Sequence, residues 1–112
     1  MLPSFFALSG IAVLLAASGV PAGAQEQSFP LTIKNHRFEP AEFEVPANTK
    51  VKLVIKNEDS TPEEFDSSQL HREKVIPGGK EVSVVVGPLK PGRYEFVGEY
   101  NQKTARGAII VK

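Results

Sequence analysis

Three carboxylates and an imidazole are the side chains of this sequence best suited to chemistry. Glu63 and Glu64 follow Pro62, Glu99 stands between Gly98 and Tyr100, and His36 precedes Arg37-Phe38-Glu39-Pro40. Oxygen and nitrogen donors of this kind suit iron or Cu(II), whereas Cu(I) needs softer ligands. The chain contains no Cys, so a copper–thiolate electron-transfer centre is excluded. Ser67 and Ser68 have His71 nearby, but the sequence supplies no supporting context for a nucleophilic triad. Gly78-Gly79-Lys80 lacks the upstream glycine spacing and the following Ser or Thr of a phosphate loop.

The elements that must hold these residues are read from alternation. In Lys50-Val51-Lys52-Leu53-Val54-Ile55-Lys56 one face carries Val51, Leu53 and Ile55, and the other carries the three lysines. Successive strand side chains point to opposite faces, so this is a half-buried strand. Val82, Val84 and Val86 repeat the pattern, Tyr94 and Phe96 alternate around Glu95, and Ala108-Ile109-Ile110-Val111 closes the chain. Leu31 to Lys34 and Phe43 to Val45 are shorter candidates. Turn residues punctuate these runs at Pro46-Ala47-Asn48, Asn57 to Ser60, Pro77-Gly78-Gly79 and Lys90-Pro91-Gly92. The expectation is an all-β, antiparallel Greek-key sandwich of six to eight short strands. The irregular stretch is Thr61 to Lys74, where Glu63 to Leu70 is expected to form a short helical segment after Pro62.

Composition sets the compartment and excludes some partners. Met1 to Ala24 holds no charged side chain, and its apolar run Ile11 to Ala17 is too short to span a bilayer. It ends in Ala22-Gly23-Ala24, a small-x-small cleavage pattern. Residues 1–24 therefore read as a secretory signal peptide and residues 25–112 as one domain, with an N-terminal membrane anchor as the competing reading; no Lys or Arg opens the chain, so either the terminal amine alone supplies the positive charge or the true start lies upstream. The 13 Lys and Arg balance the 13 Asp and Glu, all of them in the second part. Such a balance gives no attraction to nucleic acid or an anionic membrane. About 90 residues suffice for one core, and without Cys that core must be held by packing alone.

A family resemblance rests on several phrases in order. Phe38-x-Pro40, Val45-Pro46-Ala47, Val51 to Asn57 and Asp59-x-x-Pro62-x-x-Phe65 resemble the first half of a cupredoxin. Gly92-x-Tyr94-x-Phe96 with Thr104-x-x-Gly107 resembles the second half. Thr61-Pro62-Glu63-Glu64-Phe65, Arg72 to Gly78 and Gly87 to Gly92 look like the EfeO-type cupredoxin-like family. More narrowly, they resemble the small periplasmic cupredoxin-like (FtrB-like) component of bacterial ferrous-iron uptake systems. The resemblance implies a periplasmic location and, as partners, an iron permease and a periplasmic iron-binding protein. It also implies where copper ligands would stand. The first His falls at Glu63, and the Cys, second His and Met fall on or near Gly98, Asn101 and Ala105. Relatives with a Gly-Glu-aromatic-His string would carry His in place of Asn101.

On a cupredoxin scaffold, the ends of the Val51 to Lys56 and Tyr94 to Val97 strands lie together at one pole. Glu63 and Glu99 are then expected to face each other there, with His36 in the first crossing at the same pole. The expected site is Glu63, Glu99 and His36, with Glu64 as a further candidate, binding an iron or copper ion that is not a blue type 1 centre. It would assist ferrous iron oxidation or transfer to the permease. Each residue has a plainer use. Glu63 and Glu64 can cap a helix start, Glu99 can pair with Lys103 or Arg106, and His36 can be a strand-end histidine bonded to backbone. Asp66 can be a ligand, a cap or a partner of Arg72. The rival function is a metal-free adaptor of the cupredoxin fold that docks partner proteins of the transport system.

Overall fold

Alternating apolar residues build two facing sheets. The computed structural model describes residues 26–112; the expected signal peptide, residues 1–24, lies outside them. The strands are β1 (Glu26–Lys34), β2 (Arg37–Glu39), β3 (Glu42–Val45), β4 (Lys50–Asn57), β5 (Glu63–Ser67), β6 (Arg72–Ile76), β7 (Glu81–Val86), β8 (Gly92–Gly98) and β9 (Arg106–Val111). That is nine strands, one more than the upper expectation, plus a 3-10 turn at Glu99–Asn101. One sheet runs β2-β1-β4-β7 and the other β3-β9-β8-β5-β6. The all-β sandwich is therefore as expected. The sheets are mixed, however: β1 runs parallel to β4 and β3 parallel to β9, because the first and last described strands each lie beside a strand reached by a crossover.

The core follows the alternation. Val51, Leu53 and Ile55 of β4 are fully buried, as are Phe96 of β8 and Ile109 of β9. Across the gap, Phe38 of the four-stranded sheet meets Phe96 edge-on at 4.9 Å between ring centres. Phe96 stacks on Phe65 of β5 at 5.0 Å. Such aromatic pairs contribute roughly 0.5–1.5 kcal/mol beyond the area they bury.

The helical segment expected after Pro62 is a strand. Glu63, Phe65 and Ser67 point inward while Glu64 and Asp66 are half-buried on the outer side, in the two-residue period of β5. The correction has a tertiary cause. β5 lies between β6 and β8, pairing Phe65 with Gly98 and Asp66 with Val97 on one side and Glu63 with Ile76 on the other. All five residues pair with β6 and two of them also with β8, and these ladders outweigh a local helix-start signal worth roughly a kcal/mol. The turn that was to extend the helix, residues 68–71, instead connects β5 to β6.

Phe96→Ala is expected to cost about 4 kcal/mol of stability, because it empties the centre of the aromatic stack. Val85→Ala, on the exposed side of β7, is expected to change stability by less than about 0.5 kcal/mol. Urea unfolding of the two variants beside the parent checks both values.

Candidate functional site

The pole where cupredoxin ligands would converge is built by three connections. The first is the β1–β2 turn. Asn35 and His36 both take left-handed backbone, with φ of 54° and 58°, as a two-residue hairpin turn of this twist requires. Their N–H groups donate to the two oxygens of Asp59 at 2.8 and 2.9 Å. The second is the β4–β5 connection. The buried Asn57 donates to Thr61 O and Ile76 O at 2.9 and 3.0 Å and accepts from Asp59 N at 3.0 Å. The third is the β8–β9 connection, where Thr104 N and Ala105 N donate to Asn101 O and Gly98 N donates to Ala105 O.

Glu63 sits at the centre of the pole and is only 1% exposed. Its Oε1 accepts from Glu64 N at 3.0 Å and Tyr100 N at 2.8 Å, and its Oε2 accepts from Asn101 Nδ2 at 2.7 Å. It therefore caps no helix; it acts as an acceptor for the turn on which Tyr100 and Asn101 lie.

The four residues expected to form one site are distributed over three places. Glu63 is inside. His36 is half exposed, with Nδ1 at 3.6 Å from Asp59 Oδ2, and its carbonyl accepts from Thr104 Oγ1 at 2.6 Å. Glu99 and Glu64 lie outside the five-stranded sheet, so Glu63 and Glu99 do not face each other: they belong to opposite sides of β5. The structure does bring Glu64 and Glu99 together, with Asp66 and Glu73. Among the described residues no group of three or more His, Asp or Glu side chains has the geometry to hold a metal ion.

Glu73 and Asp59 are the residues the sequence reading passed over. Once β5 is a strand, Glu73 falls directly opposite Asp66, but a helical segment at Glu63 hides that register. Asp59 lies two residues beyond Asn57 in a stretch whose turn composition was visible; what was not visible is that its carboxylate reaches back to the β1–β2 turn.

The copper of a cupredoxin does not fit this pole. A side-chain carbon at Gly98, where the thiolate would start, would lie 2.6 Å from Ala105 Cβ, 2.7 Å from Glu63 Cδ and 2.8 Å from Glu63 Oε2. The space of the Cys side chain is thus taken by Glu63 and Ala105. The residues at the remaining ligand places, Asn101 and Ala105, offer an amide already committed to Glu63 and a methyl group. Neither the donor set nor the volume is that of a thiolate–imidazole copper site.

The outer carboxylates repel one another. Partial desolvation, then the charges of Glu73, Asp66 and Glu99, push the Glu64 carboxyl above its usual range. A hydrogen bond with Asp66, then partial desolvation and the charges of Asp66 and Glu73, do the same to Glu99, against a smaller opposing bond from Gln102. Asp59 moves the other way. The His36 N–H bond first, helped by Asn35 N–H and the imidazole, holds its carboxyl below the usual range against some desolvation.

Two measurements follow from this geometry. Raised folded-state values mean that the contributions of Glu64 and Glu99 to stability are fully present below about pH 4.5, the ordinary value, and are lost as pH rises through the folded values. Glu64→Gln and Glu99→Gln are therefore expected to stabilise the protein at pH 7, with the gain vanishing below pH 4.5. Asp59→Asn is expected to destabilise it above pH 3.8, with the deficit closing as pH falls through the lowered folded value. Chemical denaturation from about pH 2 to about pH 8, on both sides of the ordinary carboxylate values, reads both. Gly98→Ala is expected to cost about 3 kcal/mol, because the new methyl overlaps Glu63 and Ala105, and the same denaturation at pH 7 measures it.

Known proteins share this architecture. A family model described as cupredoxin-like domain matches residues 5–111. Protein RP394 of Rickettsia prowazekii (strain Madrid E) is 49% identical over 81 residues, covering 72% of this chain and 65% of that protein, so the match spans just under two thirds of the relative's length. Auracyanin A, described as a "blue" copper protein from Chloroflexus aurantiacus, superposes with a TM-score of 0.65 at 14% identity, covering 79% of this chain and 100% of that one. The purple cupredoxin of Nitrosopumilus maritimus gives 0.61 at 18% identity, covering 74% and 98%. The metal-binding domain of the Cu(I)-exporting P-type ATPase CopA of Streptococcus pneumoniae D39 gives 0.65 at 16% identity, covering 84% and 91%. At such identities the solved structures share the fold alone. With the family match over nearly the whole sequence and two sheets closing on one pole, the chain belongs to the cupredoxin-like domain family.

Proposed function

We propose that this chain is an exported, periplasmic cupredoxin-like component of a bacterial iron-uptake system that works as an adaptor, docking partner proteins without a metal at its cupredoxin pole. The observation that carries the adaptor reading is the Glu63 carboxylate, buried and hydrogen-bonded where the first copper ligand would stand. Placement in iron uptake rests on the resemblance of Thr61 to Phe65, Arg72 to Gly78 and Gly87 to Gly92 to the EfeO-type family. The partners on that reading are the iron permease and the periplasmic iron-binding protein.

The acidic face beside the pole suits docking. Glu64, Asp66, Glu73 and Glu99 are gathered on one side of β5 and β6, and no lysine or arginine contributes to the shifts of Glu64 and Glu99. Unneutralised charge of one sign steers a partner of opposite sign and makes association salt-dependent. The contact is therefore with a basic patch on the partner.

Capture of the permease complex by metal-stripped protein and by protein exposed to Fe(II), Fe(III) or Cu(II) tests this function. Equal recovery in all cases is expected, with a loss of about tenfold or more when Glu64 and Glu73 are both changed to Lys. Calorimetric titration with the same ions separates the metal-handling reading. Binding that disappears in a Glu64→Gln/Glu99→Gln variant would replace the adaptor by an iron or copper carrier using the outer carboxylates. Binding that disappears in Glu63→Ala or His36→Ala would return the metal to the pole.

A further inference from the structure

A cupredoxin pole ordinarily gathers electron-pair donors around a cation. Here the inward-pointing groups have the reverse polarity. Glu64 N and Tyr100 N donate to Glu63 Oε1 at 3.0 and 2.8 Å, and Asn101 Nδ2 donates to its Oε2 at 2.7 Å, so three N–H groups converge on one carboxylate. Two of these donors are backbone groups and cannot be turned to present a lone pair. The third stands on a backbone fixed by Thr104 N and Ala105 N, which donate to Asn101 O, and its amide turns Nδ2 inward to meet the carboxylate. Three converging N–H groups around a buried oxygen pair make an anion site. Gly98 and Ala105 leave just enough room for it, since any side-chain carbon at position 98 would meet the carboxylate.

We propose that the pole is an internal anion site occupied by the chain's own Glu63 carboxylate, which cross-links β5 to the β8–β9 connection in the way a bound metal would. The cross-link keeps the Tyr100 turn ordered whatever the metal supply. When the carboxylate is removed, the three N–H groups remain and accept a small carboxylate from solution; they do not accept a cation. The proposal deepens the closed pole on which the adaptor reading rests. Docking is read separately by capture, so either can fail alone.

Thermal unfolding of the purified protein and its Glu63→Ala variant tests the site, with sodium formate, sodium chloride at matched ionic strength, and Cu(II) as separate titrations. Glu63→Ala is expected to melt on the order of 10 °C lower, because three donors lose their acceptor. Formate is expected to raise that melting temperature by several degrees and to saturate, as binding to the folded state requires. Chloride and Cu(II) are expected to leave the variant unchanged, and formate is expected to leave the parent protein unchanged. Adding Asn101→Leu to Glu63→Ala is expected to weaken the formate response. A Glu63→Ala variant that melts like the parent, that ignores formate, or that is stabilised by Cu(II) instead overturns the proposal. If Glu63→Ala does not fold, Glu63→Gln decides. It keeps the volume but removes the charge and one acceptor oxygen, so a lower melting temperature without formate rescue supports the site, and a parental one overturns it.

Discussion

A carboxylate stays inside a protein only where donors replace its water. Glu63 meets that condition with two backbone N–H groups and one side-chain amide, and much of the pole is arranged to supply them. The 3-10 turn at Glu99–Asn101 places Tyr100 N and Asn101 over the end of β5. The Asn101 carbonyl closes the turn through Thr104 and Ala105, and Ala105 in turn anchors Gly98. Leaving even one of these groups buried without a partner would cost roughly 1–3 kcal/mol, so the arrangement is held as a unit. Gly98 is part of the same constraint, since the carboxylate occupies the volume that a side chain there would need.

The same device recurs beside it with an exposed partner. Asp59 captures the N–H groups of the left-handed Asn35 and His36, tying the β1–β2 turn to the β4–β5 connection. Asn57 fixes that connection to the end of β6. The pole is thus closed by side-chain carboxylates and amides bonded to backbone. Outside, the carboxylates have the opposite situation: Glu64 and Glu99 lie among other acids and are pushed above their ordinary range. One element, β5, carries both kinds, with Glu63 held inside by donors and Glu64 and Asp66 left to repel their neighbours outside.

Membership in the cupredoxin-like family therefore fixes the scaffold and leaves the chemistry to be argued from the residues at the pole. The copper proteins it superposes on share two sheets and a pole, at identities of 14–18%. This chain fills that pole with its own side chain. The pole is ordered by bonds within the chain, and the acids gathered outside β5 are the surface on which the proposed docking rests.

Strands β4, β7 and β8 were legible because alternation is local: each apolar residue in Val51, Leu53 and Ile55 points where the pleat sends it. The absence of Cys excluded a thiolate–copper centre from composition alone. The resemblance of residues 38–107 to a cupredoxin pointed to positions 63, 98, 101 and 105, which the structure places together at one pole. What the sequence could not decide was the state of residues 63–67 and the direction of each carboxylate. Pro62-Glu63-Glu64 is a local helix-start signal, whereas the strand is made by pairing on both edges, with β6 along its length and with β8, more than thirty residues away. Within a strand, neighbouring residues face opposite ways and a one-residue slip reverses them. That tertiary register, with β6 on one edge and β8 on the other, turned Glu63 inward to the N–H groups of Tyr100 and Asn101, and left Glu64 outside with Glu99.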